Sequence, residues 1–203
     1  MKSEAALALS YLRRSAHGDL YIGVPAGGAS RVHLPDDEAK ARFITAVLKV
    51  KCEPGDELEL LGEPVAELSA RSRAALRRRI GALSPIVGLM TNLNVWENVS
   101  LAAAYHGAPP LERVAGLAAD VLGAFGCEPL AFLARLPDDL TALESKIAAL
   151  IRLLAAEPAL AIVDALEEGL SRAERPRAAL FESELRARLP QATLLFVDSR
   201  EEN

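Results

Sequence analysis

The stretch LTALESKIAALIRLLAAEPALAIVDALEEGLS, running from Leu140 to Ser171, decides the reading of this chain. Its first half reads as a helix. Its second half holds an unbroken apolar run, Ala159 to Val163, entered from Pro158 and closed by Asp164. A run without polar alternation is what a strand buried on both faces of a parallel sheet requires. Downstream, a helix is expected over Arg172 to Leu189 and a final buried strand over Thr193 to Val197. Upstream, VPAGGASRVHLPDD gives a turn at Pro25 to Gly28, a strand at Ala29 to His33 and a second turn at Leu34 to Asp37. A helix follows, with Asp36 or Asp37 as N-cap and Phe43, Ile44, Val47 and Leu48 on one face. CEPGDELELLG turns at Pro54 and Gly55 into a strand through Leu58 and Leu60. ELSARSRAALRRRI is then an Arg-rich helix, and IGALSP a short strand stopped by Pro85.

From Asn92 to Glu157 the pattern is helical, in segments separated by breaks at Gly107 to Pro110, at Glu128 and Pro129, and at Pro137. Strands alternating with helices predict an α/β fold with a mainly parallel sheet and an inserted helical subdomain. The expected division is an α/β core from residues 1–84 and 158–203 and a helical subdomain from residues 85–157.

Composition narrows the function. The chain has 203 residues, 51% of them hydrophobic and 25% charged, which excludes disordered and collagen-like classes. Aromatics make up only 4%, so stacking platforms are not expected. A net charge of -5 argues against general nucleic-acid affinity, which rests on phosphate neutralisation. The basic run Arg71, Arg73, Arg77, Arg78 and Arg79 reads as a solvated helix face. Cys52 and Cys127 lack C-x-x-C partners, and His33 and His106 lack a second ligand at i+4, so no metal site is expected. Glu4, with Arg13 and Arg14 after a short apolar stretch, does not make a secretory leader. Glu157, Pro158 and Asp164 interrupt the most apolar stretch before it could cross a bilayer, so a membrane role would run through a partner.

The order of segments, and several strings over nearly the whole chain, resemble the nucleotide-binding subunit of an ATP-binding-cassette (ABC) transporter, with its P-loop NTPase-like core. GLMTNLNVWENVSLAAAYHG resembles the segment after the Q-loop that opens the helical subdomain and faces the membrane permease. Leu140 to Ser171 runs in step with the signature motif, its helix, the Walker B strand and the D-loop. The resemblance thus implies an ATP-driven transport subunit, yet its chemical motifs are altered. The phosphate loop, G-x-x-x-x-G-K-[ST], reads Leu34-Pro35-Asp36-Asp37-Glu38-Ala39-Lys40-Ala41, without either glycine or the metal-binding hydroxyl. Three consecutive carboxylates stand where a triphosphate would lie. Two like charges about 4 Å apart repel by roughly 4 kcal/mol at an effective dielectric near 20, against about 8 kcal/mol for an entire micromolar interaction. Lys40 keeps its motif position, and its simpler reading is a helix-surface lysine paired with Asp36, Asp37 or Glu38.

The same holds elsewhere in the chain. Asp164 stands at the Walker B carboxylate, either as a vestige of a Mg²⁺ ligand or as a loop cap, but the catalytic Glu after it is Ala165. The Q-loop glutamine falls on Pro85, the signature LSGGQ on Leu140-Thr141-Ala142-Leu143-Glu144, the D-loop Asp on Ser171 and the switch histidine on Ser199. Tyr11, Tyr21 and His17 are the candidates for an adenine-stacking ring.

The resemblance therefore implies a subunit that has lost ATP chemistry, with no catalytic residue and weak or absent ATP and Mg²⁺ binding. Its expected partners are a membrane permease and an intact ABC ATPase subunit, at the cytoplasmic face of the membrane. Thr91, Asn92, Trp96 and Glu97 are the expected permease contacts, Trp96 doubling as a core anchor with Asn94 as the helix cap. A divergent but working ATPase and a free-standing adaptor on the same fold are the alternatives.

Overall fold

A computed structural model describes residues 6–14, 18–106 and 109–199, leaving Glu4, His17 and the break at Gly107 outside the described residues. Contacts divide the chain into two compact units, Met1–Ala82 with Pro158–Ala165 and Pro190–Asn203, and Leu83–Glu157 with Leu166–Leu189.

The first unit contains two sheets. β1 (Leu7–Arg13), β2 (Leu20–Pro25), β4 (Glu57–Leu60) and β5 (Glu63–Pro64) form an antiparallel sheet in the order β2-β1-β4-β5. Ala8, Leu9 and Tyr11 of β1 and Leu58 and Leu60 of β4 point into the core. The sequence reading missed β1 and β2, because the apolar string over Ala5 to Leu9 shows no clean alternation. Register across β1 and β2 slips between Leu7 and Leu9, and such a slip erases a period of two.

The second sheet has the order β3-β8-β7-β6, from β3 (Ala29–Leu34), β8 (Thr193–Ser199), β7 (Leu160–Asp164) and β6 (Ile80–Leu83). β3 pairs with β8, and β7 with β8, in parallel. All five residues of β7 are buried, as its apolar run requires. Gly27 and Gly28 carry the turn into β3 at φ 76° and 70°, conformations that a Cβ disfavours. The Gly27 N–H donates to Thr193 Oγ1 at 2.9 Å, which sets β3 against β8.

α1 (Asp37–Lys49) buries Ala39, Phe43, Ile44, Ala46 and Val47, and Phe43 lies against Tyr11 at 5.4 Å between ring centroids. It ends at Val50, a β-branched residue at φ 50° whose side chain is fully buried, so core packing holds a backbone conformation usually left to glycine. α2 (Ala70–Arg77), capped by Ser69, leads into β6. Arg71 and Arg77 on it, with Arg78 and Arg79 just after, are exposed, as a solvated face requires. Arg77 donates to the Lys49 carbonyl at 2.8 Å and Arg73 to the Leu68 carbonyl at 3.4 Å, and Arg79, between α2 and β6, lies 3.8 Å from Glu63.

The second unit packs α3 (Val95–His106), α4 (Leu111–Ala124) and α7 (Ala178–Arg188) against α6 (Ala142–Ala155), with α5 (Pro129–Leu133) beside α3 and α4. α6 buries Leu143, Ile147, Leu150, Ile151 and Leu154. The segment Leu166–Leu189, grouped with the core by sequence order, makes its contacts in this unit because Phe181 and Leu185 are buried there, Phe181 edge-on to Phe125 at 4.7 Å. α7 starts at Ala178, not Arg172, because Glu174 closes a turn onto Ser171 and Pro176 sits in a short 3₁₀ turn at Arg175–Arg177. Among the described residues, no helix is long and apolar enough to cross a membrane.

Removing the Phe181 ring leaves a cavity in a fully buried place, and aromatic-to-alanine changes there cost about 3–5 kcal/mol. Phe181→Ala is expected to lower the urea midpoint accordingly, and an unchanged midpoint would contradict this packing.

Candidate functional site

The end of β3 passes into α1 with almost no loop. Leu34 is fully buried, Pro35 ends the strand, and Asp36 caps the helix from an extended conformation at φ -154° and ψ 174°. Its Oδ1 accepts the Ala39 N–H at 2.7 Å. The first amides of a helix attract anions, and here a carboxylate of the same chain takes one of them.

Lys40, one turn in, reaches back over the edge of the parallel sheet. Its Nζ lies 3.2 Å from Asp37 Oδ1 and 3.4 Å from Asp164 Oδ1, with its side chain only 16% exposed. Asp164 is at the end of β7 and 4% exposed. The Ser199 hydroxyl, at the end of β8, donates to Asp37 Oδ1 at 2.6 Å. The structure thus brings together Lys40, Asp164, Asp37 and Ser199. The sequence reading anticipated the local partner Asp37 but not that Lys40 leaves the helix surface for Asp164. Asp36 is occupied as a cap, and Glu38 faces Arg42 at 3.6 Å instead. Burial opposes the charge on Lys40, but the facing carboxylates of Asp164 and Asp37 outweigh it and push its pKa up. The Ser199 hydroxyl, then Lys40, holds the Asp37 carboxyl below the usual range.

Ala41 brings no hydroxyl, and Ala165, at φ 53°, brings a methyl group to the place after Asp164. Tyr11 is a core residue whose OH donates to Asp56 at 2.9 Å, and burial pushes its pKa up to about 12. It has no free ring face for a base, whereas Tyr21 is exposed on β2.

In the second unit, α6 begins with a reciprocal cap. Thr141 Oγ1 accepts the Glu144 N–H at 3.2 Å, and Glu144 Oε2 accepts the Thr141 N–H at 2.8 Å. Arg135 grips the same carboxylate with both terminal nitrogens, at 2.6 and 3.2 Å. At α6 the first-turn amide is thus taken by a hydroxyl, whereas at α1 it is taken by a carboxylate. Pro85 starts a 3₁₀ turn capped by Ser84, and Arg152 donates to the Val87 and Gly88 carbonyls just beyond it, at 2.5 and 2.8 Å.

The residues read as permease contacts surround the start of α3. Thr91, Asn92 and Glu97 are exposed and Trp96 is half-buried. Asn94 and Glu97 cap one another, each side chain accepting the other's backbone N–H at 2.8 Å. The residue that shapes this corner is Asn98, which the sequence reading missed. It is 1% exposed, its Oδ1 accepts the Met90 N–H at 2.8 Å, and its Nδ2 faces the carbonyls of Met90, Leu93 and Asn94 at 3.0 Å each. The only sequence signal was a third asparagine on the buried face of an amphipathic start. Met90 is exposed beside it, as is Leu136, whose neighbour Arg135 accepts the Val95 N–H at its carbonyl.

Among solved structures, the chain is similar to cbiO1 from Clostridium perfringens, part of the ABC transporter complex cbiONQ. The identity is 17% and the TM-score 0.73, over 96% of this chain and 79% of that one. It is also similar to the ATP-binding cassette MJ0796, solved as a dimer in a post-hydrolysis state bound to ADP and Pi, at 17% identity and a TM-score of 0.70, over 95% of this chain and 86% of that one. The likeness shows the fold: this chain has the ABC ATPase fold, an α/β core with a parallel sheet and helices. No family model and no curated protein matches the sequence.

Arg135, followed by the Thr141 cap, holds the Glu144 carboxyl below its ordinary 4.5. A carboxyl lowered by folding binds fewer protons folded than unfolded in that range. Its stabilisation is therefore complete above 4.5 and lost as pH falls through the lowered value. Glu144→Gln keeps an acceptor for the Thr141 N–H but removes the charge pair with Arg135, and is expected to cost up to about 1 kcal/mol at pH 7 and less at an acidic pH below 4.5. Urea midpoints at the two pH values test this, and a pH-independent difference would refute it.

Proposed function

We propose that this chain is a catalytically silent ABC-type nucleotide-binding subunit, a structural or regulatory partner of a membrane permease. The observation that carries the reading is that its own side chains fill the phosphate place. Asp36 takes the Ala39 amide, and Lys40 is paired with Asp37 and Asp164. An incoming triphosphate would have to break those pairs and displace or face the carboxylates. A Mg²⁺ ion would meet the ammonium of Lys40 at Asp164 and find no hydroxyl at Ala41. Ala165 supplies no base to orient an attacking water. No catalytic role is assigned to Lys40 or Asp164, which are vestiges of a cofactor site.

The docking side of the reading rests on α3. Its start offers exposed Met90, half-buried Trp96 and exposed polar positions Thr91 and Asn92, on a loop whose shape Asn98 fixes. Preorganised apolar anchors with a polar rim suit a helix-end partner. The similar cbiO1 belongs to a transporter complex, which supports a permease as the partner and the cytoplasmic membrane face as the place of action. An intact ABC ATPase subunit would supply the power.

Calorimetry with Mg-ATP is expected to show no binding tighter than about millimolar, or roughly 4 kcal/mol. A micromolar dissociation constant lost in Lys40→Ala would favour a working ATPase. Pull-down from solubilised membranes is expected to recover a permease, and Asn92→Arg or Thr91→Arg to reduce recovery at least about tenfold, as loss of a hot spot does. Glu97→Arg is a poorer probe, because its carboxylate caps Asn94. Equal recovery with the charged variants, or no permease with the unmodified chain, would favour a free-standing adaptor.

A further inference from the structure

The cluster at the end of the parallel sheet ties together elements that are distant in sequence. From Asp164 at the end of β7, the contacts run to Lys40 on α1, from Lys40 to Asp37, and from Asp37 to Ser199 at the end of β8. β7 and β8 are already neighbours in the sheet, with Asp164 opposite Val197, so the side chains bridge the strand ends just where backbone pairing runs out. Asp37 is the exposed member, whereas Asp164 and the Lys40 side chain are largely shielded from water. Screening by water and salt therefore weakens the Asp37 arm far more than the Asp164 arm.

We infer that this cluster is an internal latch, in which the Lys40 ammonium holds the first turn of α1 and the ends of β7 and β8 in one arrangement without any bound ligand. Lys40 is a positioning residue. Its ammonium compensates the buried carboxylate of Asp164 and at the same time orders Asp37, which in turn receives the Ser199 hydroxyl. A partner reading this edge of the sheet would meet one fixed surface, whatever the nucleotide concentration. The latch stands on its own geometry, and only the anion arm of the test below rests on the proposed loss of nucleotide binding.

Hydrogen exchange on the full chain tests it. Lys40→Met is expected to speed exchange by at least about tenfold at the first turn of α1 and at the ends of β7 and β8 together. Arg42→Met, which removes another α1 cation from an exposed pair, is expected to change none of them. An effect confined to α1, or the same effect in both variants, would overturn the latch. Should Lys40→Met fail to fold, Asp37→Asn serves in its place, and unchanged exchange at both α1 and Ser199 would overturn it equally. In the second arm, Asp37→Asn with Asp164→Asn keeps Lys40 but frees it from both carboxylates. This variant is expected to gain protection at α1 from inorganic pyrophosphate, while the unmodified protein gains none. Protection of the unmodified protein would overturn the latch. No gain in the double variant, with the exchange result intact, would leave the latch standing and remove the reading of this place as a former phosphate site.

Discussion

A carboxylate at the end of a strand buried on both faces needs a counter-charge. Buried charges are paired, and β7 ends on Asp164 with a cation beside it. Lys40 is that cation. To reach Asp164 it must sit one turn into α1, and α1 must begin directly after β3, with Asp36 closing its N-terminus. The short crossing from Leu34 to Asp37 brings Lys40 within reach of Asp164, and the buried apolar face of α1 holds the helix in place.

The two helix starts that matter most follow one pattern. α1 is capped by Asp36, and α6 by the Thr141 and Glu144 pair with Arg135 behind it. A helix N-terminus left open is a place for an external anion, but one closed by a side chain of its own chain gains stability and loses that vacancy.

Much of this was legible in the sequence. The unbroken run Ala159–Val163 dictated a buried parallel strand, and the spacing of Phe43, Ile44 and Val47 dictated the buried face of α1. Asp37 was legible as a partner of Lys40 from its place one turn back on the same helix. What stayed hidden depends on three-dimensional pairing. β1 and β2 escaped because a register slip broke the alternation, and the start of α7 was misplaced because Glu174 folds back onto Ser171. Lys40 was read by its neighbours along the helix, but its shielded partner lies more than a hundred residues away in sequence. Asn98 was invisible as an organiser, since all its partners are backbone atoms and leave no mark in residue identity.

That last feature also bears on how such a surface changes over generations. Asn98 grips the 90–94 loop entirely through main-chain atoms, so the conformation of the loop does not depend on which side chains Thr91 and Asn92 carry. Shape and chemistry are thereby uncoupled at this corner. Exchanging the outward side chains of Thr91 and Asn92 therefore alters the chemistry of the corner without removing any of the bonds that hold its shape.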